Sequence, residues 1–176
     1  ARRRRLLEAL DPDAGIVLLL GHRDATRDHA ADHYPFSQDA SVSYFVGIDE
    51  PDTAAVIDPG TGETTLFGTE PDLDDLLWHG PRPTLAERAQ AVGADHHRPL
   101  TDLPGVVAAR SVLTLPPTRE TQAGDLRRLL GHDHRVLLAN SAAQRLLETL
   151  NGAPRPEILE RLGPLALAAL LERHRE

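Results

Sequence analysis

Cysteine, methionine and lysine are all missing from the 176 residues, and each absence narrows the reading. Without cysteine there are no disulfides and no thiolate metal sites. Without methionine, Ala1 is not a natural start, and the chain reads as a piece of a longer protein. All 19 basic residues are Arg, a bias that points to GC-rich coding because Arg and Lys are not interchangeable at specific sites. Long apolar runs are also lacking. Spanning a membrane takes roughly 18 such residues; no run approaches that, and Ile16 to Leu20 is strand-sized. No secretory signal pattern is present, since Arg2 to Arg5 run into an amphipathic helix and not an apolar core. A cytoplasmic protein with no membrane partner is therefore expected. Positive charge is scarce too: the net charge is −8, and only Arg2 to Arg5 form a basic run, so no nucleic-acid partner is expected.

Apolar residues make up 40% of the chain, enough for a buried core of one domain. Arg3 to Leu10 reads as a helix with Leu6, Leu7 and Leu10 on one face. Ile16 to Leu20 reads as a strand covered on both sides. A polar loop, Gly21 to His33, comes next. Strands are expected at Val42 to Val46, Thr53 to Ile57 and Glu63 to Phe67, the last two joined as an antiparallel hairpin through Asp58-Pro59-Gly60-Thr61-Gly62. Helices are expected at Pro71 to Trp78, with acidic residues in the first turn, and at Thr84 to Val92, opened by the capping box Thr84/Glu87 and closed by Gly93. A weaker helix spans Thr101 to Arg110, a late strand Val112 to Leu115, and further helices Gln122 to Leu130, Ala139 to Leu150 and Pro156 to Arg173, the last interrupted at Gly163-Pro164. Mixed strands and helices with one hairpin predict an α/β fold, a mixed sheet between helices.

The few aromatic residues, 3% of the chain, are concentrated. Both Tyr and two of the three Phe lie between His33 and Pro51. Tyr34-Pro35-Phe36 reads as extended, because a residue before proline is pushed out of the helical region. The pattern Tyr34-Pro35-Phe36-Ser37-Gln38-Asp39, then Tyr44-Phe45-Val46-Gly47, then Glu50-Pro51 and an apolar strand, resembles the N-terminal domain of the proline-specific metallopeptidases: Xaa-Pro aminopeptidase (aminopeptidase P), prolidase and creatinase. Trp78-His79-Gly80-Pro81-Arg82 is similar to the family's W-x-G-x-R element. The resemblance covers most of residues 2–115. It departs at Ser37, where the family usually has Arg, and at Ser41 to Ser43, where it often has Asp-Phe.

The resemblance implies a three-layer α/β/α domain with an RNase-H-like mixed sheet over residues 1–152, and a helical segment, 153–176, leading toward an absent C-terminal catalytic domain. It implies a parent enzyme that releases the N-terminal residue before proline. That enzyme would use two divalent metal ions, expected to be Mn²⁺, held outside this chain. Here it implies no cofactor and no catalytic residue. The partners implied are the catalytic domain, further copies in a dimer or tetramer, and the peptide substrate. Pro35, Phe36, Gln38, Asp39, Tyr44, Gly47, Glu50, Pro51 and Gly80 are the structural motif. Trp78, Arg82, Tyr34 and Asp32 are the expected edge of the substrate cleft and oligomer; Trp78 would reach a neighbouring subunit's cleft, its alternative role being a hydrophobic plug over the sheet. A prolidase- or creatinase-type parent, or a stand-alone peptide- or protein-binding module like that of a eukaryotic histone chaperone subunit, are the alternatives.

Other chemistry is weaker. If helical, His29 and His33 would share a face with zinc-chelating spacing. The catalytic Glu and third ligand are missing, and Tyr34-Pro35 opposes a helix, so Asp28 to His33 reads as a polar loop. His96-His97 and His132-Asp133-His134 read as surface residues. Gly60-Thr61-Gly62 is too short for a phosphate loop, lacks the Lys and does not precede a helix.

Overall fold

The computed structural model describes residues 2–28, 32–115 and 117–130. In chain order the elements are α1 (Arg2–Ala9), β1 (Ile16–Leu20), α2 (Ala40–Phe45), β2 (Ala54–Ile57), β3 (Thr64–Gly68), α3 (Leu73–His79), α4 (Leu85–Ala91), β4 (His96–Pro99), α5 (Leu103–Ala108), β5 (Val112–Thr114) and α6 (Glu120–Leu130). The expected helices at 139–150 and 156–173, the boundary at 152, His29 and the His132 to His134 group lie outside the described residues.

The strands form one five-stranded sheet in the order β4-β3-β2-β1-β5. β2 runs antiparallel to both β1 and β3, while β5 joins β1 and β4 joins β3 in parallel. The sheet is mixed, as expected. Alternate residues of β1 feed two cores. Val17 and Leu19 meet α1, α2 and α4 through Leu6, Leu10, Val42, Phe45, Leu85 and Ala89. Ile16, Leu18 and Leu20 meet α5 and α6 through Leu103, Val107 and Leu126. Helices thus cover both faces. That is why β1 reads as one unbroken apolar run.

The segment expected as a strand at Val42 to Val46 is helix α2, which corrects the reading of Tyr44. Asp39 is its N-cap, its carboxylate accepting from the Ser41 and Val42 amides. Val42, Phe45 and Val46 are buried at i, i+3 and i+4, so helical spacing overrides the β-preference of their side chains. Gly47 ends this helix and not a strand. The capping box at Thr84 forms as expected. Strand β4 has no counterpart among the expected strands. His96 to Pro99 are all exposed on the sheet edge, so no apolar alternation marks them.

Candidate functional site

The topology gathers the long connections at one end of the sheet. The C-terminal ends of β1, β3, β4 and β5 and the start of β2 all lie there, as the pairings Leu20↔Ala54, Ala54↔Phe67 and Gly68↔Pro99 require. Three excursions leave from this end: the arm 21–38, the turn 49–53 and the excursion 69–84. The four residues expected at a cleft edge sit on two of them: Asp32 and Tyr34 on the arm, Trp78 and Arg82 on the excursion 69–84.

A buried polar hub roots the arm. The Gln38 Oε1 accepts from the amides of His22 and Asp39, both at 2.9 Å. Its Nε2 donates to Glu50 O at 2.7 Å and to Thr53 Oγ1 at 3.2 Å. Gly21 must be glycine here, since a Cβ would stand 2.6 Å from Thr53 O and 2.9 Å from Gln38 Oε1. His22 Nδ1 lies 2.8 Å from Ser37 O, which only accepts, so Nδ1 carries a proton. Its Nε2 lies 2.9 Å from Thr118 Oγ1. Asp39 Oδ2 and Leu20 O both accept from Gln122 Nε2, which ties α6 to the same hub. Sequence reasoning misses His22 and Thr118; a Gly-His pair at the end of an apolar strand is the one available signal.

Beyond the hub the arm doubles back through the bridge Thr26↔His33. Arg27 stacks on the exposed Tyr34 ring, 5.1 Å from its centroid. Arg23 forms a two-pronged pair with the buried Asp125 at 2.6 and 2.8 Å, and Arg128 joins the same carboxylate. Asp52 faces this group with a left-handed backbone, φ 51°. Desolvation pushes its carboxyl above the usual value, Arg23 partly opposes this, and Asp24 and Asp125 add to it. The folded chain therefore holds the Asp52 proton more tightly than the unfolded one does, and stability is lost as pH rises from the ordinary carboxylate range through that raised value. Asp52→Asn is expected to raise the melting temperature near pH 7, with the gain shrinking toward pH 3.5. Asn also tolerates the left-handed backbone, but that benefit is independent of pH. A gain of the same size at both pH values would remove the charge explanation.

The excursion 69–84 carries helix α3. Asp72 and Asp75 cap it reciprocally, Asp75 N donating to Asp72 Oδ1 at 2.8 Å and Asp72 N to Asp75 Oδ2 at 3.3 Å. Gly80 ends it with φ 74°, a conformation glycine adopts without strain. Arg82 returns to Asp75 at 3.6 Å. Three large apolar side chains face solvent: Leu73 at 82% exposure, Leu77 at 74% and Trp78 at 77%. Trp78 is therefore not a plug over the sheet. An open cleft of about 750 Å³ lies between the two limbs, bounded by Glu70, Leu73, Gly80 and Arg82.

Among the described residues no three His, Asp or Glu side chains converge as a metal site would require. Acid–His approaches there include His33 with Asp24 at 3.6 Å and His96 with Glu63 at 3.3 Å, each a pair and no more. These residues do not fit a two-metal centre. No described helix is long and apolar enough to cross a membrane.

The family model described as "Aminopeptidase P, N-terminal domain" matches residues 1–113. A protein of Ajellomyces dermatitidis named "Probable Xaa-Pro aminopeptidase" is 28% identical over 92 residues, 52% of this chain and 18% of that protein. Among solved structures, the Pseudomonas aeruginosa aminopeptidase PepP superposes with a TM-score of 0.62 at 24% identity, over 73% of this chain and 30% of that one. A zinc-substituted E. coli aminopeptidase P in complex with product gives 0.56 at 18% identity, over 90% and 36%. The structural likenesses show a shared fold, and the chain spans well under half the length of each of these relatives. With the family match covering the arm, the turn and the W-x-G-x-R excursion, the chain belongs to the aminopeptidase P N-terminal domain family.

Proposed function

We propose that this chain is the non-catalytic N-terminal domain of a proline-specific metallo-aminopeptidase, which removes the residue preceding a proline at a peptide N-terminus. In this reading the domain shapes the substrate cleft and helps build a cytoplasmic dimer or tetramer. The observation that carries it is the exposure of Trp78 beside Leu73 and Leu77 on one short helix. A Trp offers a large, rigid contact area and one indole donor, and held in solvent it is available to a partner surface. Arg82 adds a charge at the same limb, and Tyr34 and Asp32 supply the edge from the arm. The two metal ions, which we take to be Mn²⁺, belong to a catalytic domain outside the described residues. They would activate the attacking water there.

A direct test compares the parent enzyme with the 176-residue chain alone, each supplied with Mn²⁺, Co²⁺ or Zn²⁺ and an Xaa-Pro peptide. Release of the N-terminal residue is expected from the parent and not from the chain alone. Metal-dependent release by the isolated chain, or none by the parent, would refute the assignment.

A further inference from the structure

The guanidinium of Arg88 joins three separate stretches of chain. Its Nη1 donates to Glu50 Oε2 at 2.7 Å, its Nη2 to Thr69 O, and its Nε to Thr84 O at 3.5 Å. Thr69 and Thr84 are the two roots of the excursion that presents Trp78. The Arg88 side chain is only 10% exposed; its bond to Glu50 is partly buried, while those to Thr69 O and Thr84 O lie at the exposed base of the excursion. A second tie closes the same base: Leu85 N donates to Glu70 Oε2 at 2.9 Å. Glu50 is itself anchored, because its backbone oxygen accepts from Gln38 Nε2 and from Thr53 Oγ1 at 3.0 Å. A continuous path of hydrogen bonds thus runs from the hub, through the Glu50-Pro51 turn, to the base of the excursion. It links the three sequence blocks, which are otherwise separate along the chain.

Farther out, Leu73, Leu77 and Trp78 face solvent, so their burial within this domain does not fix α3. The geometry of the base then bears directly on where Trp78 points.

We infer that Glu50 and Arg88 are positioning residues that set the presentation of Trp78 by pinning both roots of the excursion 69–84. This inference rests on the reading of Trp78 as a cleft-edge side chain, but its physical content can be measured without it. Amide hydrogen exchange of the full chain is the probe, with Glu50→Gln and Arg88→Gln compared singly and together. Glu50→Gln keeps an acceptor oxygen but removes the charge, and Arg88→Gln removes the guanidinium, so exchange across 70–83 should speed by about threefold or more in the first and about tenfold or more in the second, with β1, β2 and β3 unchanged. The double variant should exchange no faster there than Arg88→Gln alone. Glu50→Gln keeps the measurement interpretable if Arg88→Gln folds poorly, since the Glu50 side chain is not part of either apolar core. Unchanged exchange across 70–83, or an increase spread equally over the core strands, would overturn the inference. Peptide kinetics of the parent enzyme then separate the two ideas. If Trp78→Ala slows turnover while a loosened Glu50→Gln excursion leaves kcat and KM at wild-type values, positioning is overturned. If the excursion loosens and neither variant changes the kinetics, the pinning stands and the cleft-edge reading fails.

Discussion

Trp78→Ala is expected to leave the domain folded and to reduce kcat/KM of the parent enzyme about tenfold or more on peptides that reach beyond the scissile bond. An exposed side chain contributes little to its own fold, so the stability change should stay within roughly 0.5 kcal/mol. An anchoring Trp at a contact surface, in contrast, commonly carries about 2 kcal/mol or more. Phe67 supplies the control. It lies only a short distance earlier in the chain, on β3, and is fully buried at 0% exposure. Phe67→Ala should cost about 3–5 kcal/mol through lost burial and the cavity left behind. Thermal melting and peptide kinetics on both variants would separate the roles. A large drop in melting temperature for Trp78→Ala, with normal specific activity in the folded fraction, would sink the cleft-edge proposal.

Gln38→Leu should be among the most damaging changes outside the apolar core. Leu approximates the volume but removes every hydrogen bond of the hub's central side chain. The amides of His22 and Asp39 would be left without a partner in a buried setting, and the oxygen of Glu50 would keep only Thr53 Oγ1. Buried groups left unpaired cost about 1–3 kcal/mol each, and shared relaxation reduces the sum, so a loss of about 2–5 kcal/mol is expected. Gln38→Glu keeps the two acceptor contacts but sets an oxygen against the Glu50 oxygen in a buried site, and it should destabilise as well. Equilibrium denaturation of the three proteins gives the order directly. A Gln38→Leu variant within about 0.5 kcal/mol of wild type would show that water or local rearrangement replaces the side chain.

The parts of the fold legible in the sequence are those where burial and local chemistry agree. β1 is apolar on both faces, the β2–β3 hairpin is marked by its Pro-Gly turn, and Thr84/Glu87 announces α4. Helix α2 reads as a strand because Val42, Tyr44 and Phe45 favour strands individually. The decisive group is Asp39, whose carboxylate caps the helix only once the Ser41 and Val42 amides turn back toward it. β4 is hidden because an exposed edge strand needs no apolar pattern. Its order comes from backbone bonds to β3. At the candidate site, the residues in the aromatic and W-x-G-x-R blocks can be named from sequence. Arg88 cannot, because nothing in a helix marks one Arg as buried between three loops.

The pairing of β1 with β5 has a consequence for how the chain is made. Ile16 lies beside Val112, about a hundred residues later in synthesis. At roughly 5–20 residues per second, one edge of the most apolar strand waits on the order of 5–20 s for its partner to leave the ribosome. The antiparallel neighbour β2 arrives early, with β3 beside it, and shields the other side. The open edge of β1 during that interval is where a nascent chain is most vulnerable to pairing with another copy. Loss of β5 and α6 by premature termination would make that interval permanent.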